Sequence, residues 1–198
     1  METTARGTFE SRRNETETTL MLEERPDATV EVIAYDESWP QAFANERARI
    51  LAALPSLEAV EHIGSTAVPG LPAKPTIDLL TVVSDEQLHT AVPAFCGIGY
   101  LHVPESFADD PQHLFFHRLR AGKRTHHLHV VAASSPLVAR YLVFRDYLRA
   151  HPDEALRYAT FKQDLAVEHA HERDRYVDAK PPFVGAMIER AWQWRPLA

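Results

Sequence analysis

The sequence predicts an α+β domain in which helices pack against a mixed β-sheet and the C-terminal part is helical. Three observations support this fold class. Short β-branched segments alternate with one or two helical segments before Pro136, two apolar segments flank the turn sequence AGKR, and the pattern after Pro136 is helical to the end. The 198 residues are enough for one sizeable core. No apolar run approaches the roughly 20 residues that cross a bilayer, so we expect a soluble protein.

Residues 1–28 differ in composition from the rest of the chain. They are rich in Thr, Glu, Arg and Ser and carry few apolar side chains, so burial cannot offset the entropy of ordering them. We therefore predict a disordered N-terminal tail over 1–28 and one domain over 29–198. The start also lacks the hydrophobic core of a secretory leader, which predicts a cytoplasmic location.

The first half of the domain is predicted as three strands and one helix. ATVEVIAY (28–35) alternates like a strand, and the segment after Pro40, QAFANERARILAAL, has apolar residues at helical spacing. LEAVEHIG (57–64) predicts a second strand, and PTIDLLTVV (75–83), apolar on both faces, predicts a central one. The glycine- and proline-rich loop between them is a strand-to-strand connection, unless it hides a short turn of helix.

The second half begins with SDEQLHTAVPAF (84–95), which predicts a short helix capped by Ser84. GIGYLHV (97–103) predicts a strand, and HLFFHRLR (113–120) and THHLHVVAA (125–133) predict a hairpin around AGKR. Three helical segments complete the chain: LVARYLVFRDYLRAHP, PDEALRYATFKQDLAVEHAHERDRYVDAK and PPFVGAMIERAWQW.

Charge and cysteine content limit the class of partner. A net charge of −7 opposes the broad positive surface that non-specific nucleic-acid binders present to phosphates. Among the basic residues, 17 arginines stand against four lysines, and the planar guanidinium suits bidentate contacts with phosphate or carboxylate. Cys96 is the one cysteine, which excludes a disulfide within the chain. We expect a small-molecule partner and no membrane partner, and a homodimer stays open.

The loop GSTAVPGLPAKPTIDLL (64–80) carries the chemistry-bearing pattern. Gly64 can adopt positive φ, while Ser65 and Thr66 add hydroxyls and amides that can hold phosphate oxygens. Lys74 precedes Asp78, whose carboxylate enters an apolar strand and needs a metal ion or a cation. The alternative is a rigid structural turn, stiffened by Pro69, Pro72 and Pro75, with Asp78 in an ion pair with Lys74 or Arg118.

Residues 61–83, EHIGSTAVPGLPAKPTIDLLTVV, resemble the signature of the GrpB (UPF0157-type) family, which is similar to the nucleotidyltransferase superfamily with the DNA polymerase β fold. The resemblance continues through 124–131, 142–166 and 176–183. It implies that Gly64 and Ser65 hold nucleotide phosphates and that Asp78 is the first acid binding Mg²⁺, with Mn²⁺ as a substitute. The superfamily expects a second acid two residues later, where this chain has Leu80.

The strand THHLHVV supplies the next candidates. Strand alternation sends His127 and His129 to one face, where two imidazoles can bind a metal or transfer protons. Because the resemblance implies a third carboxylate from a later strand, we infer that His129, together with His127, takes that place, with His129 as a metal ligand beside Asp78. The alternative is that both are half-buried histidines bonded to the backbone.

Basic and aromatic side chains complete the predicted nucleotide site. Tyr158 and Lys162 lie one helical turn apart, as do Tyr176 and Lys180, so each pair presents a phenol and an ammonium on one helix face. We expect the basic groups Lys74, Arg118, Arg124, Lys162 and Lys180 to neutralise a leaving pyrophosphate, with Tyr158 beside them at the nucleotide.

Three functions follow, in order of preference. The first is a metal-dependent nucleotidyltransferase that moves a nucleoside monophosphate from an NTP to a small-molecule acceptor, with Asp78, His127 and His129 as the catalytic residues. The second is a non-catalytic domain that binds a nucleotide or phosphometabolite and lost turnover with the acid missing at Leu80. The third is a metal-dependent phosphoester hydrolase that uses Asp78 and the histidines.

Overall fold

A computed structural model describes residues 31–169 and 172–194. The predicted tail over 1–28 lies outside these residues. The described part is an α+β fold, as the sequence predicts, with one mixed sheet and helices on both of its faces. None of the helices in the described part is both long and apolar enough to cross a membrane.

The sheet has five strands in the order β1-β2-β5-β4-β3. Their bounds are Ala59–Ile63, Ile77–Val83, Leu101–His102, His113–Arg120 and Lys123–Ala132 for β1 to β5. β2 runs antiparallel to β1 and parallel to β5, whereas β4 is antiparallel to both β5 and β3. The strand that carries Asp78 is therefore an inner strand, which confirms the prediction from its apolar faces.

The described residues form six α-helices. They are α1 Trp39–Ala53, α2 Val92–Gly97, α3 Leu137–Ala150, α4 Pro152–Glu168, α5 Arg173–Asp178 and α6 Lys180–Trp194. α1 contributes Trp39 and Ile50 to a core cluster with Leu79 of β2, so we call this side of the sheet the α1 face. On the other side, the α3 face, Tyr141 and other α3 residues pack against a cluster that contains Leu80. α4 and α6 pack against α3 in a third cluster.

The hairpin and the helical C-terminal part match the prediction. Ala121 and Gly122 between β4 and β5 both have positive φ, 49° and 72°, which is the backbone of a tight two-residue hairpin turn. The glycine-proline loop does contain a short turn of 3₁₀ helix, Ser65–Ala67.

Two predicted elements differ in the structure. In the described part of the segment predicted as a first strand, Ile33 makes one isolated bridge with Ala73. Ile33 and Tyr35 pack against the core cluster that contains Trp39 of α1. The alternation of apolar residues in this segment therefore reflects packing against the core and not pairing in the sheet. The predicted helix over 84–95 is a 3₁₀ turn, Asp85–Gln87, followed by α2, and Ser84 makes no side-chain cap.

Candidate functional site

The turn after β1 is built directly onto the carboxylate of β2. β1 and β2 place Ile63 opposite Asp78, so the chain leaves β1 beside that acid. Gly64 follows with φ 69° and ψ −170°, a backbone conformation that residues other than glycine rarely adopt. A Cβ atom at Gly64 would lie 2.2 Å from Asp78 Oδ2 and 2.9 Å from its Cβ. Glycine therefore serves both the backbone angle and the close approach.

Asp78 and His127 form a hydrogen-bonded pair on the α3 face. The parallel register of β2 and β5 sets the two residues opposite each other, and His127 Nδ1 lies 2.9 Å from Asp78 Oδ1. Burial opposes ionisation of Asp78, but the hydrogen bond from His127 and the positive charge of Lys180 lower its pKa below the ordinary value. Asp78 is therefore an ionised carboxylate that accepts a hydrogen bond from His127 Nδ1–H.

His127 has a second ring nitrogen that makes no hydrogen bond. Its Nε2 is buried and has no hydrogen-bond partner among the described residues. In the tautomer that donates Nδ1–H to Asp78, Nε2 carries a lone pair. The side chains of Asp78 and His127 are 26% and 19% exposed, and their exposed atoms do not include Nε2. This pair has the arrangement of a general base oriented by a carboxylate.

His129 points into a different group. It lies opposite Leu80 in the register, and its Nδ1 is 2.9 Å from His113 Nε2 and 3.1 Å from the Tyr141 hydroxyl. Burial and the neighbouring His113 lower the pKa of His129 to about 3, and burial lowers that of His113 to about 4. Both rings are neutral near pH 7. The structure thus brings His127, and not His129, to Asp78.

Lys162 connects the turn to the helical half. Its Nζ donates to Ser65 Oγ at 2.8 Å and to the Pro72 carbonyl at 2.7 Å, and Lys162 is only 3% exposed. Burial and the charge of Lys180 lower the pKa of Lys162 to about 7, against the attraction of Asp78. Tyr158, one turn earlier, is hydrogen-bonded to Ser65 as well, and burial raises its pKa.

Lys180 approaches the site from α6. Its Nζ lies 3.7 Å from the centre of the Tyr176 ring, in a cation–π contact. Its charge is one of those that lower the pKa of Asp78. The predicted Tyr158–Lys162 pair is formed within α4. Tyr176 and Lys180 are also in contact, but they lie on α5 and α6 and not on one helix face, because the helical conformation is interrupted between them at Ala179.

Other predicted site residues have separate surroundings. Thr66 is buried, and its hydroxyl contacts His62 Nε2 at 3.0 Å and the Thr76 carbonyl at 3.3 Å, so it braces the loop. Arg118 lies on the α1 face, where its Nη1 donates to Glu46 at 2.8 Å. The expected alternative pair of Asp78 with Arg118 is therefore not formed, because strand parity separates the two faces.

Lys74 and Arg124 each accept a hydrogen bond from Thr76 through the backbone carbonyl. The Lys74 carbonyl accepts a hydrogen bond from the Thr76 amide at 2.7 Å. The Arg124 carbonyl accepts one from Thr76 Oγ1 at 3.4 Å, beside an irregularity in the pairing of β4 with β5. Thr76 stands two residues before Asp78, so Lys74 and Arg124 help to hold the segment that leads into Asp78.

Two features of the site were missed by sequence reasoning. Tyr141 was not singled out, because a tyrosine on an amphipathic helix is typical of packing and only the fold brings it to His129. The partnership of Asp78 with His127 depends on the β2–β5 register, for which a single sequence gives no signal. Within the described ranges, no three His, Cys, Asp or Glu side chains are grouped so that they could hold a metal ion.

The fold and site define a class of protein: an α+β domain with a Gly–Ser turn packed on an Asp–His pair and two lysines presented by C-terminal helices. The family model described as GrpB protein matches residues 29–190. The chain belongs to the GrpB family.

Relatives and solved structures agree with this assignment. The chain is 40% identical over 171 residues to a UPF0157 protein of Pseudomonas aeruginosa, covering 83% of this chain and 69% of that protein. It is 36% identical to the UPF0157 protein YqkA of Bacillus subtilis, covering 86% of this chain but only 49% of YqkA. The chain therefore spans about half of YqkA. The crystal structure of GrpB from Enterococcus faecalis matches with a TM-score of 0.74 and 33% identity, covering 82% of this chain and 98% of that one.

Two further matches are more distant. A dephospho-CoA kinase of Mycobacterium leprae is 30% identical over 161 residues, which cover 68% of this chain and 39% of that protein. A structure of the Cid1 poly(U) polymerase matches with a TM-score of 0.42 and 11% identity over 61% of this chain.

Proposed function

We propose that this protein transfers a nucleoside monophosphate from an NTP to a small-molecule acceptor, at the site formed by the Gly64–Ser65 turn, Asp78 and His127. The observation that carries the proposal is the contact between Gly64 and the Asp78 carboxylate. An anion held by the amides of this turn would lie close to a carboxylate. Such closeness is unfavourable unless a cation stands between the two negative groups.

A magnesium ion fits this requirement. Mg²⁺ is commonly bound by one or two carboxylates together with substrate phosphates and waters. Asp78 Oδ1 is bonded to His127, which leaves Oδ2, the atom nearest the turn, as a protein ligand. The ion would neutralise charge on the phosphates when bound. His129 was expected as a second ligand, but its Nδ1 contacts His113 and Tyr141, so the ion would depend on the nucleotide for its remaining ligands.

The protein's own cations would hold the phosphates. Lys162 already binds the Ser65 hydroxyl, and Lys180 is close enough to Asp78 to affect its pKa. Because the pKa of Lys162 is about 7, an arriving triphosphate would favour its charged form and strengthen the contact. Tyr158 and Tyr176 support the two lysines through their rings.

His127 would activate the acceptor. Its Nε2 lone pair takes the proton from an acceptor hydroxyl or amine while the acceptor atom attacks the α-phosphorus. The bond from the α-phosphorus to the bridging oxygen breaks, and pyrophosphate leaves. Asp78 then stabilises the imidazolium through Nδ1. Because Nε2 is buried, the acceptor would have to displace a neighbouring side chain to reach it.

The test is pyrophosphate release by the purified full-length protein with Mg²⁺, each NTP and a panel of small acceptors. Dephospho-CoA belongs in the panel, since a relative carries the name dephospho-CoA kinase. Asp78→Asn and His127→Gln should each lower the rate by at least 100-fold. Asp153→Asn, an exposed acid at the start of α4, is the matched control and should leave the rate unchanged. Full activity in Asp78→Asn would contradict the proposal.

A second function is favoured by one specific observation. Leu80 is fully buried in the cluster under α3, at the position where the superfamily pattern has a second carboxylate. A domain that binds nucleotide without turnover would keep the turn and the lysines. Tight NTP binding, lost in Lys162→Met, with no pyrophosphate release for any acceptor would select this function. A metal-dependent phosphoester hydrolase, in contrast, requires a stoichiometric metal without nucleotide.

A further inference from the structure

The second half of the glycine-proline loop lines a cavity that the proposed reaction does not use. This cavity has a volume of about 490 Å³. Its walls are residues 68–72 of the loop and side chains of α3 and α4, including Leu148, Ala155, Leu156 and Ala159. Nearly all of these side chains are apolar, so the cavity suits an aliphatic group.

A second cavity, of about 360 Å³, adjoins the first. It lies at the β1 edge of the sheet between α1 and α3, and three arginines line it: Arg47, Arg145 and Arg149. Arg145 is already neutralised, because it pairs with Glu61 at 2.7 Å and with Asp146 at 2.8 Å. Arg149 shares Asp146 with Arg145, at 3.8 Å, so the three guanidiniums stand against two carboxylates and leave an excess of positive charge at this cavity.

Arg47 and Arg149 are held in place through Nε. Arg47 Nε donates to the Val60 carbonyl at 3.3 Å, and Arg149 Nε donates to the Ala67 carbonyl at 2.8 Å. Arg149 Nη1 also lies 3.8 Å from Asp146 Oδ1, an ion pair too long for a hydrogen bond, so both arginines keep Nη donors for another acceptor. Burial and the charge of Arg145 lower the pKa of Arg149, so a bound anion would relieve an existing repulsion.

Arg149 and Pro69 line both cavities, so these two residues stand between them. We propose that the two cavities form one binding site for an amphipathic anion: a small molecule whose carboxylate or phosphate binds Arg149 and Arg47 and whose aliphatic chain fills the apolar cavity. Charge selects the head group, and apolar burial selects the chain.

This site touches the groups that hold the Gly64–Ser65 turn. Arg149 binds the carbonyl of Ala67, the last residue of the 3₁₀ turn that follows Gly64. Lys162 links the Ser65 hydroxyl to the carbonyl of Pro72, and Pro72 lines the apolar cavity. An occupant would therefore contact Arg149 directly and Lys162 only through Pro72.

The experiment is calorimetric titration of the purified full-length protein with decanoate and decyl phosphate, without nucleotide or metal. We expect saturable binding of at least one of them, weakened at least tenfold by Arg149→Gln. Leu156→Glu, a change at a 66% exposed rim position, should weaken binding without disturbing the fold, because it adds a negative charge and removes apolar surface. Arg157→Gln, at a 61% exposed side chain outside both cavities, is the matched control.

Four results would overturn this proposal. They are no binding of either probe, equal binding in Arg149→Gln, binding of decanol as tight as that of decanoate, and binding of inorganic phosphate as tight as that of decyl phosphate. The last two would show that one cavity acts alone. Since the titration contains no nucleotide, a negative result leaves the proposed transfer untouched, and a negative transfer assay leaves this site untouched.

Discussion

Two acidic side chains on opposite faces of the same sheet differ in how completely they are paired. On the α1 face, Glu46 is bonded to Arg49, to Arg118 at 2.8 Å and to the Tyr100 hydroxyl at 2.8 Å. Its side chain is 5% exposed. On the α3 face, Asp78 has one hydrogen-bonded partner among the described residues, His127, and a side chain that is 26% exposed.

The difference separates a fully paired acid from one that keeps acceptor capacity. Burial opposes ionisation of both carboxylates, and in both the partners still lower the pKa. For Glu46 the lowering comes mainly from the Arg49 and Tyr100 bonds, which leave little room for a ligand. Asp78 keeps Oδ2 beside the Gly64 turn, while its Oδ1 accepts a hydrogen bond from His127. A carboxylate with spare acceptor capacity at an open surface is the one that can bind and react.

The largest expected effect comes from removing the fully paired acid. Glu46→Ala leaves the Arg49 and Arg118 charges partly buried without a partner, which should lower the free energy of unfolding by about 3 kcal/mol. Asp78→Asn keeps the shape and one hydrogen bond, so we expect a loss of about 1 kcal/mol or less. Urea unfolding at pH 7 measures both. Equal losses would show that the two acids play the same structural role.

The next effect concerns the backbone under Asp78. Gly64 and Gly70 have similar φ values, 69° and 76°, but a Cβ at Gly70 meets no atom within 4 Å, while one at Gly64 meets Asp78. Each change to alanine should cost about 1 kcal/mol for the backbone. Gly64→Ala should cost at least about 1 kcal/mol more, because Asp78 must move.

Urea unfolding of the pair isolates the contact, since Gly70→Ala carries the backbone cost alone. A Gly64→Ala protein as stable as the Gly70→Ala protein would show that the Asp78 side chain moves aside at no cost in free energy. Such a result would remove the close approach of the turn to the carboxylate as an argument for a cation between them.

Sequence patterns could predict the fold and half of the site. The inner position of β2, the hairpin and the Gly64–Asp78 neighbourhood followed from apolar parity, turn chemistry and the family signature. The face of Arg118 could have followed from alternation, but its attraction to Glu46, 72 positions away, could not. His129 was favoured as the ligand, whereas the β2–β5 register brings His127 to Asp78. Pairing between distant strands is a property of the whole sheet and leaves no local signal.

The third effect is a dependence of stability on pH, to which His126 on the α1 face contributes. His126 lies 4.0 Å from Glu46, yet burial lowers its pKa to about 4. Between pH 6.5 and about 4 the unfolded chain binds a proton at this histidine and the folded chain does not, so stability falls as pH falls. The expected slope from this residue is about 1 kcal/mol per pH unit.

His126→Gln should reduce that slope, and His89→Gln, at an exposed position, should leave it unchanged. Urea midpoints at pH 7, 6 and 5 give the three slopes. His62, His113 and His129 are lowered as well, so part of the dependence should survive in His126→Gln. A wild-type protein equally stable at pH 7 and pH 5 would show that the histidines are charged in the folded state.

The smallest effect belongs to a third acid, which lies at the surface. Glu154 on α4 binds Arg190 at 3.0 Å and Arg157 at 2.8 Å, and the Arg157 side chain is 61% exposed. Water screens such a pair, and Arg190 still holds Glu154 when Arg157 is gone, so Arg157→Gln should change the free energy of unfolding by less than about 0.5 kcal/mol. Urea unfolding beside Glu46→Ala provides the measurement. A loss above about 1 kcal/mol would mean that partner number alone, and not burial, decides how much an acid contributes.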